Sequence, residues 1–367
     1  MSRRSLSRVL PTFPWDTIAA ARQRASRHPD GLVDLSVGTP VDPTPQVVRE
    51  ALCRAADAHG YPQVWGTPQL RRAVTEHMES RWGAPALDET SVLPVVGTKE
   101  FVAHLPGQLG LGPGSVVVIP SRAYPTYRVG ALLAGARVVV ADDPDQVEVR
   151  PDLVWINSPS NPTGGIASPD LLRRWVDLVR RHDAVLVSDE CYGEFAWQGE
   201  VVSVLDTRVS GGDLTGLLSC LSMSKRSNMA GYRAGVVVGD PALCQELLAV
   251  RKHSGLMIAA PVAEAMRAAL ADRDHVVAQV ERYRRRREVL AEALLGAGYR
   301  IDDSQGSLYL WVTRGLDCRR TVEDLADLGI LCSPGDFYVD GTSEHVRISL
   351  TATDDRIAAA ARRLSEH

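Results

Sequence analysis

Residues 217–233 read LLSCLSMSKRSNMAGYR, an apolar run followed at once by a dense set of polar side chains. The run at 217–222 has the length and composition of a buried strand. A lysine that leaves such a strand beside cations, as Lys225 does, has its charged form disfavoured, so its pKa falls from about 10.4. A neutral amine is what Schiff-base chemistry requires, and nearby hydroxyls together with Arg233 suit a phosphate dianion. A surface turn is the alternative that this segment alone leaves open.

Similar strand-like runs recur on both sides of this segment. They lie at 92–96, 115–119, 136–140, 153–157, 184–188, 217–222 and 234–238. Amphipathic segments separate them, and Thr67-Pro68 and Ser168-Pro169 each offer a helix N-cap followed by proline at the first helical position. The alternation predicts an α/β fold with a mostly parallel seven-stranded sheet covered by helices on both faces.

The pattern changes after residue 260. A helical stretch from about 261 to 295 precedes short strands and helices in an α+β order. A chain of 367 residues is also too long for one ordinary core. We predict an N-terminal arm that forms part of a small domain (1–45), a large domain (46–260), and an interdomain helix with a C-terminal small domain (261–367).

Composition excludes several classes of function. With 41 basic and 45 acidic residues the net charge is −4, so the chain has no field that would gather nucleic acid or an anionic membrane. No segment approaches ~18 consecutive apolar residues, and prolines interrupt the basic start before any apolar run. We therefore expect no membrane span, no signal peptide and a cytoplasmic protein. The six cysteines and nine histidines lack paired spacing, so we expect neither a disulfide framework nor a metal site.

Lysine is scarce, which narrows the search for a reactive amine. The three lysines are Lys99, Lys225 and Lys252. Lys99 lies at a predicted helix start and Lys252 in a polar run, whereas Lys225 follows a strand beside phosphate-binding residue types. Lys225 is therefore the candidate for amine chemistry.

Three further polar segments follow predicted strands, where an open α/β sheet places its ligand site. The carboxylate of Asp189 needs a cation or a proton donor; a protonated pyridine nitrogen is one such partner, and a helix N-cap is the other reading. Asn161 lies between two prolines, which restrict how its amide is aimed, although a plain loop is the default. Gly97 and Thr98 begin a helix whose free N–H groups suit a phosphate.

Taken together and in this order, these motifs resemble those of the class I/II aminotransferases over essentially the whole chain. The resemblance is carried by S-x-S-K with an arginine eight residues after the lysine (222–233), by N-P-T-G (161–164) and by D-E-x-Y (189–192). It implies the PLP-transferase fold type I, pyridoxal 5′-phosphate (PLP) as the cofactor, amino-acid and 2-oxo-acid substrates, and a homodimer with shared active sites.

The resemblance also implies a role for each site residue. Lys225 would bind the cofactor and shuttle a proton from the substrate Cα, Asp189 would pair with the pyridinium nitrogen, and Asn161 and Tyr192 would bond the phenolate oxygen. Lys225, Asp189 and Tyr192 are thus the expected catalytic residues. The other cofactor-binding residues would hold the phosphate or stack on the ring: Gly97, Thr98, Lys99, Tyr124, Ser222, Ser224, Arg233 and, from the neighbouring subunit, Tyr61. The expected substrate-binding residues are Gly38 and Arg347. Lys99 departs from the family pattern, and we expect its side chain to point away from the phosphate.

The expected reaction is transamination between glutamate or 2-oxoglutarate and a second amino or keto acid. The sequences around Lys225 and Tyr61 are similar to actinobacterial N-succinyldiaminopimelate aminotransferases, which implies N-succinyl-L,L-2,6-diaminopimelate as the substrate, in lysine biosynthesis. Such a substrate needs a second anion site, for which Arg22, Arg24 and Arg128 are candidates, although surface charge is the favoured explanation of each.

Other readings stay open at this point. The motifs around the ring do not separate that substrate from aspartate, alanine, an aromatic amino acid or L,L-diaminopimelate, nor transamination from a cystathionine β-lyase reaction. A regulator built on this fold is disfavoured, because such proteins append a DNA-binding domain for which the chain has no room.

Overall fold

A computed structural model describes residues 8–366 of the chain. Its strands are β1 (Val33–Asp34), β2 (Val92–Val95), β3 (Val116–Ile119), β4 (Arg137–Val140), β5 (Leu153–Asn157), β6 (Val185–Asp189), β7 (Leu217–Ser222), β8 (Gly235–Gly239), β9 (Arg300–Asp302), β10 (Tyr309–Thr313), β11 (Ile330–Leu331), β12 (Ser333–Pro334) and β13 (His345–Ser349). Its α-helices are α1 (Ala19–Ala25), α2 (Gln46–Arg54), α3 (Pro68–Trp82), α4 (Thr98–Gln108), α5 (Thr126–Ala134), α6 (Pro169–His182), α7 (Thr207–Ser210), α8 (Met223–Arg226), α9 (Pro241–Ser254), α10 (Ala260–Ala271), α11 (Asp274–Gly296), α12 (Cys318–Asp327) and α13 (Asp354–Ser365).

The predicted seven-stranded sheet is confirmed. Its order is β2-β8-β7-β6-β5-β3-β4, and β8 alone runs opposite to the other six strands. Successive residues face opposite sides, so Leu186 and Leu217 enter one hydrophobic core while Val187 and Leu218 enter the other. Because the parallel strands end at one edge, β5, β6 and β7 deliver their last residues to the same region of the molecule.

Both helix starts read from the sequence are confirmed. The Thr67 hydroxyl accepts the Leu70 N–H at 3.1 Å, and the Ser168 hydroxyl accepts the Leu171 N–H at 3.2 Å. Each side chain satisfies a backbone donor that has no partner within its helix.

The helical stretch expected from about 261 to 295 is two helices, so this expectation was wrong. The break falls at Asp272, whose backbone is extended (φ −99°, ψ 117°). Its carboxylate accepts from the His275 ring at 2.6 Å and from the Asp274 N–H at 3.3 Å, and so contacts the first turn of α11. Ahead of the break, α10 packs against α2 and α3 beside the large sheet.

A second, smaller sheet is antiparallel and has four strands in the order β12-β13-β10-β9. Leu310 and Val346 of this sheet share a core with Leu290 of α11 and Leu325 of α12. The short β1 pairs with β11, which ties the N-terminal segment to this part of the chain. The division at residues 45 and 260 stays a prediction. Among residues 8–366 no helix has the length and apolarity needed to cross a membrane.

Candidate active site

Lys225 lies on α8, the single turn that follows β7. Its Nζ donates a hydrogen bond to the Gly38 carbonyl oxygen. Burial lowers the pKa of Lys225, and the positive charges of Arg347 and Arg233 act in the same direction. The lowered pKa favours the neutral amine that the sequence predicted.

Lys225 lines a cavity of about 560 Å³ at the carboxyl edge of the large sheet. The cavity brings together most of the residues predicted from the sequence, namely Gly38, Thr98, Lys99, Tyr124, Asn161, Asp189, Tyr192, Ser222, Ser224, Lys225, Arg233 and Arg347. They come from distant parts of the chain, and the sheet edge with the adjoining small sheet is what unites them.

Asp189 ends β6 with only 6% of its surface exposed. The Tyr127 hydroxyl donates to its Oδ2 at 2.8 Å, and the Cys191 N–H donates to its Oδ1 at 3.2 Å. Burial nevertheless raises the pKa of Asp189, because these donors do not offset the loss of water. A cation placed against this carboxylate would therefore be strongly stabilised.

Arg347, on β13, reaches the cavity from the small sheet. Its Nη1 donates to Asn161 Oδ1 at 2.8 Å, and its Nη2 donates to the Ser36 carbonyl oxygen at 2.7 Å. Its Nε is buried and has no partner among the described residues. Arg347 therefore retains donors for a carboxylate, the group that a guanidinium binds in a bidentate manner.

Gly97 and Arg233 form the wall beside the start of α4. A Cβ on Gly97 would lie 2.4 Å from Arg233 Nη2, and the φ of Gly97 is +76°, so glycine is required at this position. α4 begins at the next residue, Thr98, and the first N–H groups of a helix lack partners within it. Those N–H groups, the Ser222 and Ser224 hydroxyls and Arg233 together suit a phosphate.

Comparison with known proteins decides the family. The model of the family "Aminotransferase class I and II" matches residues 30–364. The chain belongs to this family. The aminotransferase is 53% identical over 365 residues to a probable aminotransferase of Mycobacterium tuberculosis, covering 99% of this chain and 87% of that protein. It is also 53% identical over 359 residues to the 4-dedimethylamino-4-oxo-anhydrotetracycline transaminase of Streptomyces rimosus, covering 98% of this chain and 100% of that protein.

Solved structures give the same family and fold. The structure of a probable N-succinyldiaminopimelate aminotransferase from Thermus thermophilus superposes with a TM-score of 0.87 at 26% identity, covering 96% of this chain and 100% of that one. The predicted fold type I is thus confirmed.

Class I and II aminotransferases use PLP, and the residues of this cavity fit that cofactor. The donors around Gly97 and Arg233 suit its phosphate. Asp189 is a buried carboxylate without an ion-pair partner in residues 8–366, which suits a protonated pyridine nitrogen. Lys225 supplies an amine with a lowered pKa for the aldehyde.

Two predicted cofactor residues lie differently from the rest. Tyr61 lies outside the cavity with 99% of its surface exposed, so its role toward a neighbouring subunit stays a prediction. Lys99 was expected to point away, but it lines the cavity with its Nζ 5.6 Å from the centroid of the Phe13 ring. Burial lowers the pKa of Lys99, and the charge of Arg233 lowers it further.

The three arginines considered for a distal anion lie in different places. Arg22 lines the cavity, although its Nη2 also pairs with Asp34 at 2.5 Å. Arg24 instead pairs with Asp327, which explains it as a surface charge. Arg128 pairs with Asp340 at 2.5 Å and lines a separate cavity.

Two residues of the aminotransferase site were not predicted from the sequence. Tyr309, on β10, lines the cavity, and Tyr127, outside the cavity lining, donates its hydroxyl hydrogen bond to Asp189. Tyr127 lies in the first turn of α5, three residues after Tyr124, and its nearness to that predicted residue was the signal available in the sequence. Tyr309 carried no such signal, because a tyrosine in an apolar strand is ordinarily a core residue.

Proposed function

We propose that this aminotransferase exchanges an amino group between glutamate and N-succinyl-2-amino-6-ketopimelate, giving 2-oxoglutarate and N-succinyl-L,L-2,6-diaminopimelate, in lysine biosynthesis. The single observation that carries the choice of substrate is that two further cations, Arg22 and Lys99, line the same cavity as Arg347. The substrate has carboxylates at its far end and on its succinyl arm. A cavity that holds cations besides Arg347 matches a molecule that carries carboxylates besides the one at its reacting carbon.

Of these two cations, Lys99 is the better candidate for binding a carboxylate of the substrate. It makes no ion pair with a carboxylate in residues 8–366, whereas Arg22 already pairs with Asp34. Burial disfavours the charge of Lys99, and an anionic ligand would offset that cost. Phe13 and Trp15 line the same cavity and offer an apolar surface for the methylene chain of the substrate.

The reaction at the substrate Cα follows from the residues around Lys225. Bound PLP supplies the electron sink that stabilises negative charge on this carbon. We assign Lys225 as the base that takes the Cα proton, Arg347 as the clamp on the α-carboxylate, and Asp189 as the counter-charge to the ring nitrogen. Lys225→Ala is expected to abolish transamination; turnover in that variant would contradict the assignment.

A second candidate substrate is a polycyclic ketone. It is favoured by the 53% identity to the Streptomyces rimosus enzyme, whose name specifies an anhydrotetracycline substrate. The aromatic rings of Phe13, Trp15 and Tyr124 offer surfaces on which a planar ring system can stack. This candidate leaves Lys99 without a ligand carboxylate, so the diaminopimelate derivative is the first choice.

The test is a panel of amino donors at fixed 2-oxoglutarate, with the glutamate formed as the readout. The panel holds N-succinyl-L,L-2,6-diaminopimelate, L,L-diaminopimelate, aspartate, alanine and an aromatic amino acid. The succinylated donor is expected to show the highest kcat/KM. If aspartate, the aromatic donor or unacylated diaminopimelate exceeds it by about tenfold, the proposed substrate is wrong while the aminotransferase activity stands.

A charge variant tests the distal site directly. Lys99→Met is expected to lower the ratio of kcat/KM for the succinylated donor to that for alanine by about tenfold, the value of a charge-assisted hydrogen bond. Lys252→Met is the matched control, because Lys252 is an exposed lysine on α9, and it should leave the ratio unchanged. An unchanged ratio in Lys99→Met would remove the argument for the substrate.

A further inference from the structure

Tyr309 lines the cavity, yet neither the sequence motifs nor the proposed roles assign it a function. It lies on β10 of the four-stranded sheet, yet its hydroxyl is 2.9 Å from the hydroxyl of Tyr192, which follows β6 of the large sheet. Both side chains are buried, with 3% and 7% of their surfaces exposed. The pair is therefore a hydrogen bond that joins the two sheets inside the cavity and is shielded from water.

The position of Tyr309 depends on its neighbour Gly38. A Cβ on Gly38 would lie 2.1 Å from the Tyr309 hydroxyl oxygen, closer than any non-bonded contact allows. Gly38 also accepts the hydrogen bond of Lys225 through its carbonyl oxygen. The missing side chain at residue 38 therefore leaves the space that the Tyr309 hydroxyl fills, beside the reactive amine.

The direction of the hydrogen bond follows from proton counting. A tyrosine hydroxyl has one proton to donate. If Tyr192 donates its proton to the phenolate oxygen of the cofactor, it must accept from Tyr309. A donor that itself accepts a hydrogen bond is polarised and donates more strongly, by about 10–30%.

The ring of Tyr309 makes a second contact of consequence. The Arg347 guanidinium carbon lies 3.9 Å from the centroid of the Tyr309 ring, and 5.0 Å from that of Tyr338. A guanidinium stacked on an aromatic face at this distance is held in orientation and favoured electrostatically. The Tyr309 ring thus supports Arg347 while its hydroxyl contacts Tyr192.

We propose that Tyr309 is a positioning residue with two separable functions: its hydroxyl strengthens the hydrogen bond that Tyr192 donates to the cofactor, and its ring orients Arg347 for the substrate α-carboxylate. The inference rests on the proposed roles of Tyr192 and Arg347 and is independent of which distal substrate the enzyme uses. It predicts that the two functions can be removed one at a time.

The first measurement is a pH titration of the visible absorption of the PLP-loaded enzyme without substrate. A weaker hydrogen bond to the phenolate oxygen makes the neighbouring proton on the chromophore harder to remove, so the spectroscopic pKa rises. Tyr309→Phe is expected to raise it by about half a pH unit, and Tyr192→Phe by more. Tyr338→Phe is the matched control: it removes another hydroxyl next to Arg347 and should leave the titration unchanged.

The second measurement is the binding of glutarate, an unreactive dicarboxylate, to the same loaded proteins. Tyr309→Phe retains the ring and is expected to bind glutarate as the wild type does. Tyr309→Leu removes the ring and is expected to weaken glutarate binding about tenfold. The loaded spectrum of each variant shows that the cavity has formed.

The outcomes separate the inference from the roles on which it rests. If Tyr192→Phe shifts the titration and Tyr309→Phe does not, the function of the Tyr309 hydroxyl is overturned. If Tyr309→Leu binds glutarate as tightly as the wild type, the function of its ring is overturned. If Tyr192→Phe leaves the titration unchanged, the proposed role of Tyr192 fails and the hydroxyl function of Tyr309 fails with it.

Discussion

Replacing Asp189 by asparagine removes a buried negative charge while nearly preserving the size of the side chain. The Tyr127 hydroxyl donates to Oδ2 at 2.8 Å and the Cys191 N–H donates to Oδ1 at 3.2 Å, so the single oxygen of the asparagine keeps one of these two hydrogen bonds. It has no charge to balance a protonated pyridine nitrogen. Removing one partner of a buried charge pair costs about 3–5 kcal/mol. At about 1.36 kcal/mol per factor of ten, the rate of Cα deprotonation falls by roughly two to four orders of magnitude.

The assay is the half-reaction of the PLP-saturated variant with glutamate, followed by the visible absorption of the bound cofactor. Glu190→Gln is the matched control, because Glu190 is the adjacent residue and is equally buried (4% exposed). Its carboxylate accepts from the Val204 N–H and from the Ser219 hydroxyl, both at 2.8 Å, and it does not line the cavity. The control should keep the rate within about threefold of wild type. A loss below about fivefold in Asp189→Asn, or equal losses in the two variants, would refute the role of the charge.

Three further predictions concern the phosphate wall, acid stability and the subunit interface. Gly97→Ala is expected to weaken PLP binding at least about tenfold, because the new Cβ would displace the Arg233 guanidinium. Gly110→Ala is the control: Gly110 has a similar φ of +69° but no atom near the new Cβ, so this variant carries only the backbone strain and should bind PLP normally. Burial and nearby arginine charges lower the pKa of His77 to about 3, so stability is lost as the pH falls below about 6.5, by about 2 kcal/mol at pH 5. Urea unfolding measures the free energy of unfolding at pH 7 and at pH 5, and His77→Gln should lose less of it between these pH values than the wild type. An equal loss would show that His77 is not the group responsible. If Tyr61 serves the partner's site in a homodimer, mixing Tyr61→Phe with Lys225→Ala chains should restore activity, and no gain on mixing would argue against it.

Local sequence determined the large sheet and its reactive edge. Short runs rich in Val, Ile and Leu are favoured in strands that a sheet buries on both faces, so their positions predicted the strands, including β4 at the partly exposed edge of the sheet. Because parallel strands end at a common edge of the sheet, the sequence alone places Asp189, Asn161 and Lys225 in one site. The motif D-E-x-Y did not show that its two acids differ. Asp189 faces the cavity, whereas Glu190 faces Ser219 and Val204, because adjacent residues leave a strand end in different directions.

Only the tertiary structure decided which side chains complete the cavity from elsewhere in the chain. Tyr309 reaches Tyr192 across 117 positions of sequence, and no local periodicity encodes a contact of that range. Among the distal cations, the sequence could not separate Arg22 from Arg24, because both are arginines on one short helix. Packing against the rest of the fold turns Arg24 toward Asp327 and leaves Arg22 and Lys99 in the cavity. Local patterns thus determine strands and strand ends, whereas the docking of the small sheet against the large one determines the rest of the site.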